Sequence, residues 1–204
     1  MNRFPVRLSM AVLAVGLVAL LVAGCGSSDN GAAGAKKLSF QLTDAGCDPH
    51  NAKTPAGPIN FEVENAGVSG DTSAGGLSRL DWALDGDVKV LIVALGGNDA
   101  LRGLTPEELR RNLSTIIERA QGRRIRVVLC GMEAPPNFGR DYAVAFHRVY
   151  PDLAKKYNVA LVPFLLDKVA GIESLNQRDG IHPTPQGARI VADNVWAVLR
   201  PMLS

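Results

Sequence analysis

Val88-Lys89-Val90-Leu91-Ile92-Val93-Ala94-Leu95-Gly96-Gly97-Asn98-Asp99 is the stretch whose reading decides the fold. From Val88 to Leu95 the run is apolar but for Lys89. A continuous apolar run, rather than an alternating one, is what a parallel strand covered on both faces requires. The two glycines that end it let the backbone come close to a bound molecule. In open parallel sheets ligands bind at the carboxyl edge of the strands, which is where Asn98 stands. There Asn98 can aim an amide donor at a developing oxyanion, or serve only to close a strand-to-loop turn.

Outward from this strand, helical and apolar strand patterns alternate. Ala74 to Leu84 is a predicted helix. Thr105-Pro106-Glu107-Glu108 is a helix start, with Thr105 as N-cap, Pro106 in the first turn and Glu108 at the reciprocal capping position. That helix sets Leu109, Leu113, Ile116, Ile117 and Ala120 on one face and ends near Gly122. Ile125 to Leu129 is the next strand, and Asp141 to Tyr157 the next helix, with Tyr142, Phe146, Val149, Leu153 and Tyr157 on its apolar side. Val159 to Phe164 is a short strand. Thr184-Pro185-Gln186-Gly187 opens a last helix carrying Ile190, Val191, Asn194, Val195 and Val198. The alternation predicts an α/β protein, a parallel sheet with helices on both faces in three layers.

Two further stretches carry chemistry. Asp179-Gly180-Ile181-His182-Pro183 places a carboxylate three residues before a histidine, on a loop leading into a helix. Asp179 can accept from one ring nitrogen and leave the other free as a general base. The plainer alternative is an Asp-Gly turn with a capping His. His147 falls within a predicted helix beside Arg148, and His50 in a Pro-rich loop. In Ser69-Gly70-Asp71-Thr72, Gly70 follows one strand candidate and precedes a helix candidate, so its bare N–H can face the same edge as Asn98. Gly70, Asn98, Asp179 and His182 are together the parts of an acyl-transfer site. A nucleophile is the missing part, for no strand-ending Gly-Asp-Ser comes before them. Thr72, Ser73 and Cys47 are the candidates that remain.

The chain has 204 residues, 47% hydrophobic, with a formal net charge of +2, so no basic excess argues for a nucleic-acid partner. Arg3 and Arg7 precede an apolar run from Met10 to Val22, which is short for a membrane span and reads as the core of a signal peptide. It ends in Leu21-Val22-Ala23-Gly24-Cys25, similar to the lipobox of bacterial lipoproteins. That similarity implies cleavage before Cys25 (signal 1–24), a lipid on its sulfur and an exported protein held to the cell envelope. Residues 25–35 are small, polar and Gly-rich, a flexible tether. Cys47 and Cys130 could pair in an exported protein, but Cys130 ends an apolar strand, which favours a buried free thiol.

Residues 36–66 hold two alternating runs, Leu38 to Leu42 and Ile59 to Val63, joined by a turn-rich segment. They resemble the start of the cupredoxin-like domain of bacterial iron-uptake lipoproteins. The metal-ligand cluster of such domains is absent, and His50 with Cys47 does not make a copper site, so no metal is expected. From residue 67 to 204, VSGDTSAGGLSRL, VALGGNDALRGLTPEEL, PPNFGRDYAVAFHRVYPDLAKKY and DGIHPTPQGARIVADNVW resemble, in order, the SGNH (GDSL) hydrolases, most of all the arylesterase and acyl thioesterase–lysophospholipase branch. The resemblance implies a flavodoxin-like three-layer α/β/α fold and hydrolysis of small acyl esters or thioesters without a cofactor. It implies Gly70 and Asn98 as oxyanion donors, His182 as base, Asp179 as its orienting acid, and an acyl pocket bordered by Ala134 to Phe138.

The family opens with a strand ending in Gly-Asp-Ser-Leu, a helix and a second strand, and here the cupredoxin-like fragment stands in their place. An irregular strand pair is therefore expected to replace that opening, Leu38 to Leu42 for the first strand and Ile59 to Val63 for the second. Ala45 would then fall at the nucleophile position. An impaired hydrolase is the expectation, with a lipid-anchored binding protein that keeps an inherited pocket, or a cupredoxin-like metal or iron-uptake component, as the alternatives.

Overall fold

The computed structural model describes residues 8–14, 37–41 and 60–203, with side chains from Val63 onward. Its strands are β1 (Leu8–Ala14), β2 (Lys37–Gln41), β3 (Asn60–Asn65), β4 (Val88–Ala94), β5 (Arg126–Cys130) and β6 (Ala160–Val162). They form one six-stranded sheet in the order β2-β3-β1-β4-β5-β6. All pairs are parallel except β2 with β3.

The decisive apolar run becomes β4, and its two faces feed two separate cores. Leu91 and Val93 face a layer built by α1 (Ser73–Ser78), α2 (Leu80–Ala83), α4 (Pro106–Gly122) and α5 (Arg140–Tyr157). Val90, Ile92 and Ala94 face the opposite layer, built by α6 (Pro185–Leu199) and the segment around Leu165 and Val169. Alternation along one strand thus produces the three layers, because successive side chains leave a strand on opposite sides. A short helix, α3 (Gly97–Leu101), follows β4 directly.

The long helices begin and end as their sequences dictate. Thr105 accepts from the Glu108 N–H while the Glu108 carboxylate accepts from the Thr105 N–H, completing the capping box of α4. Its five predicted core residues are all buried. On α5, Phe146, Val149 and Leu153 are buried as predicted, and Tyr150 joins them. The predicted helix from Ala74 to Leu84 is broken at Arg79 into α1 and α2. Gly76 in α1 permits a close approach to β4: a Cβ there would stand 2.4 Å from Leu95 Cδ1. Cys130 is a free, buried thiol, and burial pushes its pKa up to about 12.

The sheet corrects the expected order of the opening strands. Leu8–Ala14, within the predicted signal segment, runs parallel between β3 and β4 and so holds the place expected for Leu38 to Leu42. Leu38 lies instead in β2, the antiparallel edge strand, while β3 is the neighbouring strand as expected. The physical reason is patterning. Met-Ala-Val-Leu-Ala is continuous and apolar, as a central strand demands, whereas Leu-Ser-Phe-Gln alternates, as an edge strand permits. Cys25, Ala45, Cys47 and His50 lie outside the described residues.

Candidate active site

Parallel strands send their carboxyl ends to one edge, and the loops after β3, β4, β5 and β6 gather there. The β3 loop carries Gly70, in the left-handed region at φ +81°. Asp71 N–H donates back to Val68 O, which tightens the turn. No described group accepts from the Gly70 N–H, so this donor is free at the edge. The β4 loop carries Asn98, whose side-chain amide donates to Asp71 O at 2.8 Å. One of its two N–H bonds is thereby fixed and the other is left unused. Arg102, from the same loop, donates to Gly70 O at 2.9 Å. Gly70 and Asn98 are thus brought side by side by bonds that do not consume their free N–H groups.

Gly96 makes the sharp exit from β4 possible. Its φ is +114°, and a Cβ would meet the Tyr150 hydroxyl at 2.0 Å. That hydroxyl donates to Leu95 O at 3.0 Å and so anchors the strand end to α5. The Tyr150 pKa lies well above its ordinary value, chiefly through burial and then through the Asp99 carboxylate.

Asp179 and His182 meet as the sequence spacing predicts. His182 Nδ1 lies 2.7 Å from Asp179 Oδ2, and Asp179 Oδ1 accepts from the backbone N–H groups of His182 and Ile181 at 3.0 and 3.1 Å. These bonds, that of the His182 N–H first, hold the Asp179 pKa down to about 2. The carboxylate fixes the Nδ1–H tautomer and leaves Nε2 without a described partner on a side chain 40% exposed. The loop is itself pinned. Gln177 N–H donates to His182 O at 2.7 Å, and the buried Asn176 amide donates to Val169 O and Ile172 O. Gly180 makes the turn at φ +75°, and Thr184 caps α6 immediately afterwards.

The nucleophile candidates separate. Ser73 is fully buried; its hydroxyl donates to Asp99 and accepts from Asn112 Nδ2 at 2.9 Å. A hydroxyl so enclosed has no path to an ester carbon, and Ser73 is withdrawn as a nucleophile. Thr72 is half-buried and caps α1, accepting from the Gly75 N–H at 3.3 Å. Cys47 lies outside the described residues.

The loop from Ala134 to Phe138 leads into α5, with Phe138 packed against Gly103 of the α3–α4 connection and 5.2 Å from the Tyr142 ring. Tyr142 donates to Leu104 O at 2.7 Å. His147 is a surface residue, its Nδ1 2.6 Å from Glu133 Oε1. Arg102, Asp99 and Asn112 were invisible to sequence reasoning as site residues. Their partners lie 26 to 39 residues away, beyond any local spacing rule. Among the described residues no group of three or more His, Cys, Asp or Glu is placed to hold a metal ion.

A parallel sheet between two helical layers, with amide donors and an imidazole–carboxylate pair at its carboxyl edge, defines the class: an α/β protein of the SGNH-hydrolase type. The chain belongs to the GDSL-like lipase/acylhydrolase family, which it matches over residues 21–190. It is 44% identical over 145 residues to Esterase TesA of Pseudomonas aeruginosa, covering 71% of this chain and 72% of that one. It is 37% identical over 143 residues to Thioesterase 1/protease 1/lysophospholipase L1 of Escherichia coli K12, covering 70% and 69%. Among solved structures it is similar to the crystal structure of TesA, with a TM-score of 0.73 at 32% identity over 95% of this chain and 99% of that one.

Proposed function

We propose that this chain has the layout of a carboxylic-ester and thioester hydrolase, with Gly70 and Asn98 as oxyanion donors and His182 as general base oriented by Asp179. The observation that carries the reading is the pairing of His182 Nδ1 with Asp179 at 2.7 Å, with Nε2 left free. The chain's relatives, an esterase and a thioesterase–lysophospholipase by name, favour small acyl esters and thioesters as substrates. In the full reaction a nucleophile gives its proton to His182 Nε2 and attacks the acyl carbon. The carbonyl oxygen, now anionic, takes the free N–H groups of Gly70 and Asn98. The tetrahedral species collapses as imidazolium returns the proton to the leaving group, and water repeats the sequence on the acyl-enzyme.

Catalysis in this chain is impaired, because the Gly-Asp-Ser block is missing and Ser73 is enclosed. In a serine protease, loss of the nucleophile lowers turnover about a million-fold while the oxyanion and binding groups retain about a thousand-fold over water. Thr72 and Cys47 remain as alternative nucleophiles. The second reading is a binding protein that holds acyl compounds without cleaving them, and the enclosed Ser73 favours it.

The N-terminus fits a lipoprotein leader with Cys25 as the lipid-bearing residue, residues 25–35 as tether, and 36–66 as a cupredoxin-like fragment fused ahead of the hydrolase domain. The protein would then be exported and anchored at the bacterial envelope. Among the described residues no helix is long and apolar enough to cross a membrane. Leader and strand are exclusive uses of Leu8–Ala14: cleavage before Cys25 removes β1 from between β3 and β4.

Incubation of the full chain with p-nitrophenyl butyrate, beside a His182→Ala variant, tests the reading. A His182-dependent rate establishes a nucleophile and the enzyme reading. Equal rates remove the enzyme reading and favour the binding one.

A further inference from the structure

A carboxylate with no cation is enclosed next in sequence to Asn98. Asp99 is 0% exposed, and no Lys, Arg or His bonds it among the described residues. Its two oxygens are spent on one residue: Oδ2 accepts the Ser73 N–H at 2.8 Å and Oδ1 the Ser73 hydroxyl. Ser73 Oγ in turn accepts from Asn112 Nδ2 at 2.9 Å, which ties the pair to α4. Burying an unpaired carboxylate is unfavourable, and filling space alone would be met better by an apolar side chain. The location of the three residues gives the arrangement its meaning. Asp99 follows Asn98 directly, and Ser73 begins α1 three residues after Gly70. The Ser73–Asp99 bonds therefore join the two loops that carry the two free donors, across 26 residues of sequence. Asn98 to Asp71 O and Arg102 to Gly70 O cross-link the same two loops nearer their exposed side.

We propose that Asp99, acting through Ser73 and Asn112, is a positioning residue that holds the Gly70 N–H and the Asn98 amide convergent on one point. This rests on the reading of Gly70 and Asn98 as oxyanion donors. The chain of polarity is directional. Asn112 donates to Ser73, Ser73 donates to Asp99, and each oxygen of Asp99 must accept. An amide in place of Asp99 turns one acceptor into a donor facing that hydroxyl, and the chain closes again only if Asn112 turns its own oxygen to the Ser73 proton. Exchanging both ends, Asp99→Asn with Asn112→Asp, reverses the chain: Asn at 99 donates to Ser73, and Ser73 donates to Asp at 112. The Ser73 N–H keeps an acceptor in the side-chain oxygen of Asn at 99.

The test is made on the full chain by NMR of the Gly70 backbone amide and the Asn98 side-chain amide. In Asp99→Asn both resonances move, since the bonds that join the two loops at Ser73 are broken. The double variant Asp99→Asn/Asn112→Asp returns both resonances to their original positions. Ser73→Ala, which keeps the N–H bond and removes only the hydroxyl, gives an intermediate shift and covers the case in which Asp99→Asn does not fold. The proposal is overturned if the single variants melt earlier yet leave both amides in place, which is what a purely structural role produces. The oxyanion reading has its own readout: n-butylphosphonate, a tetrahedral anion, shifts Gly70 and Asn98 in the unsubstituted protein. Absence of that shift removes the reading, and the proposal with it.

Discussion

Asp179 holds His182 by side chain and backbone at once, and so its charge is bound to the loop's shape. With a folded pKa of about 2 against an ordinary value of about 3.9, the carboxylate stays ionised wherever the protein is used. The folded value is depressed, so the stability it contributes is present above the ordinary pKa and is lost as pH falls through about 2. Carboxyl carbon shifts should show Asp179 titrating near 2 in the intact chain. In His182→Ala the Asp179 midpoint should rise toward the ordinary range, since that variant loses the ring bond and keeps the backbone ones. This pair was legible in the sequence because its partners are three residues apart. Ser73 was not. Read as Gly-Asp-Thr-Ser it looks like a nucleophile block, and only its distant partners Asp99 and Asn112 reveal a buried structural hydroxyl.

At the scale of elements, helix ends follow local rules and strand ends follow contacts. Thr105→Ala removes the capping box of α4 and should lower stability by about 1 kcal/mol, read from the shift of a urea unfolding midpoint. Gly96→Ala should cost roughly 2 kcal/mol or more, since the new methyl is strained in φ and meets the Tyr150 hydroxyl. Adding Tyr150→Phe should recover part of that loss by removing the clash, though not the φ strain. Cys130 reports on the sheet itself. In a Cys25→Ser/Cys47→Ser background its thiol should resist Ellman's reagent at pH 8 until urea unfolds the chain. The folded pKa of Cys130 is raised to about 12 from an ordinary value of about 8.5. Its contribution to stability is therefore full below the ordinary value and lost as pH rises through the folded one. At the break of the predicted Ala74–Leu84 helix, Arg79 pairs with Asp71 and bonds Ala66 O, both outside the helix, and the Gly75-Gly76 pair before it is the local signal of a weak helix.

Across the whole molecule, β1 joins two halves of the sheet. It pairs with β3 on one side and β4 on the other, so a chain beginning at Cys25 leaves both partners with an open backbone edge. Such a chain should elute from a sizing column as oligomer or aggregate and lose the cooperative unfolding of the full chain. Mass spectrometry of the envelope fraction decides which use of Leu8–Ala14 prevails in the cell, a lipidated product starting at Cys25 or the intact chain. By itself the sequence determined the α/β class, the paired helices and strands from Val88 onward, and the Asp179–His182 pair. These depend on periodicity, caps and spacings within a few residues. Only the tertiary structure decided which apolar run completes the sheet, that Ser73 is enclosed, and that the loops carrying Gly70 and Asn98 are bonded to each other. Those outcomes depend on hydrogen bonds and strand pairings between residues tens of positions apart, which compete for one sheet and one loop cluster; local patterning admits a run to the sheet but does not rank the competitors.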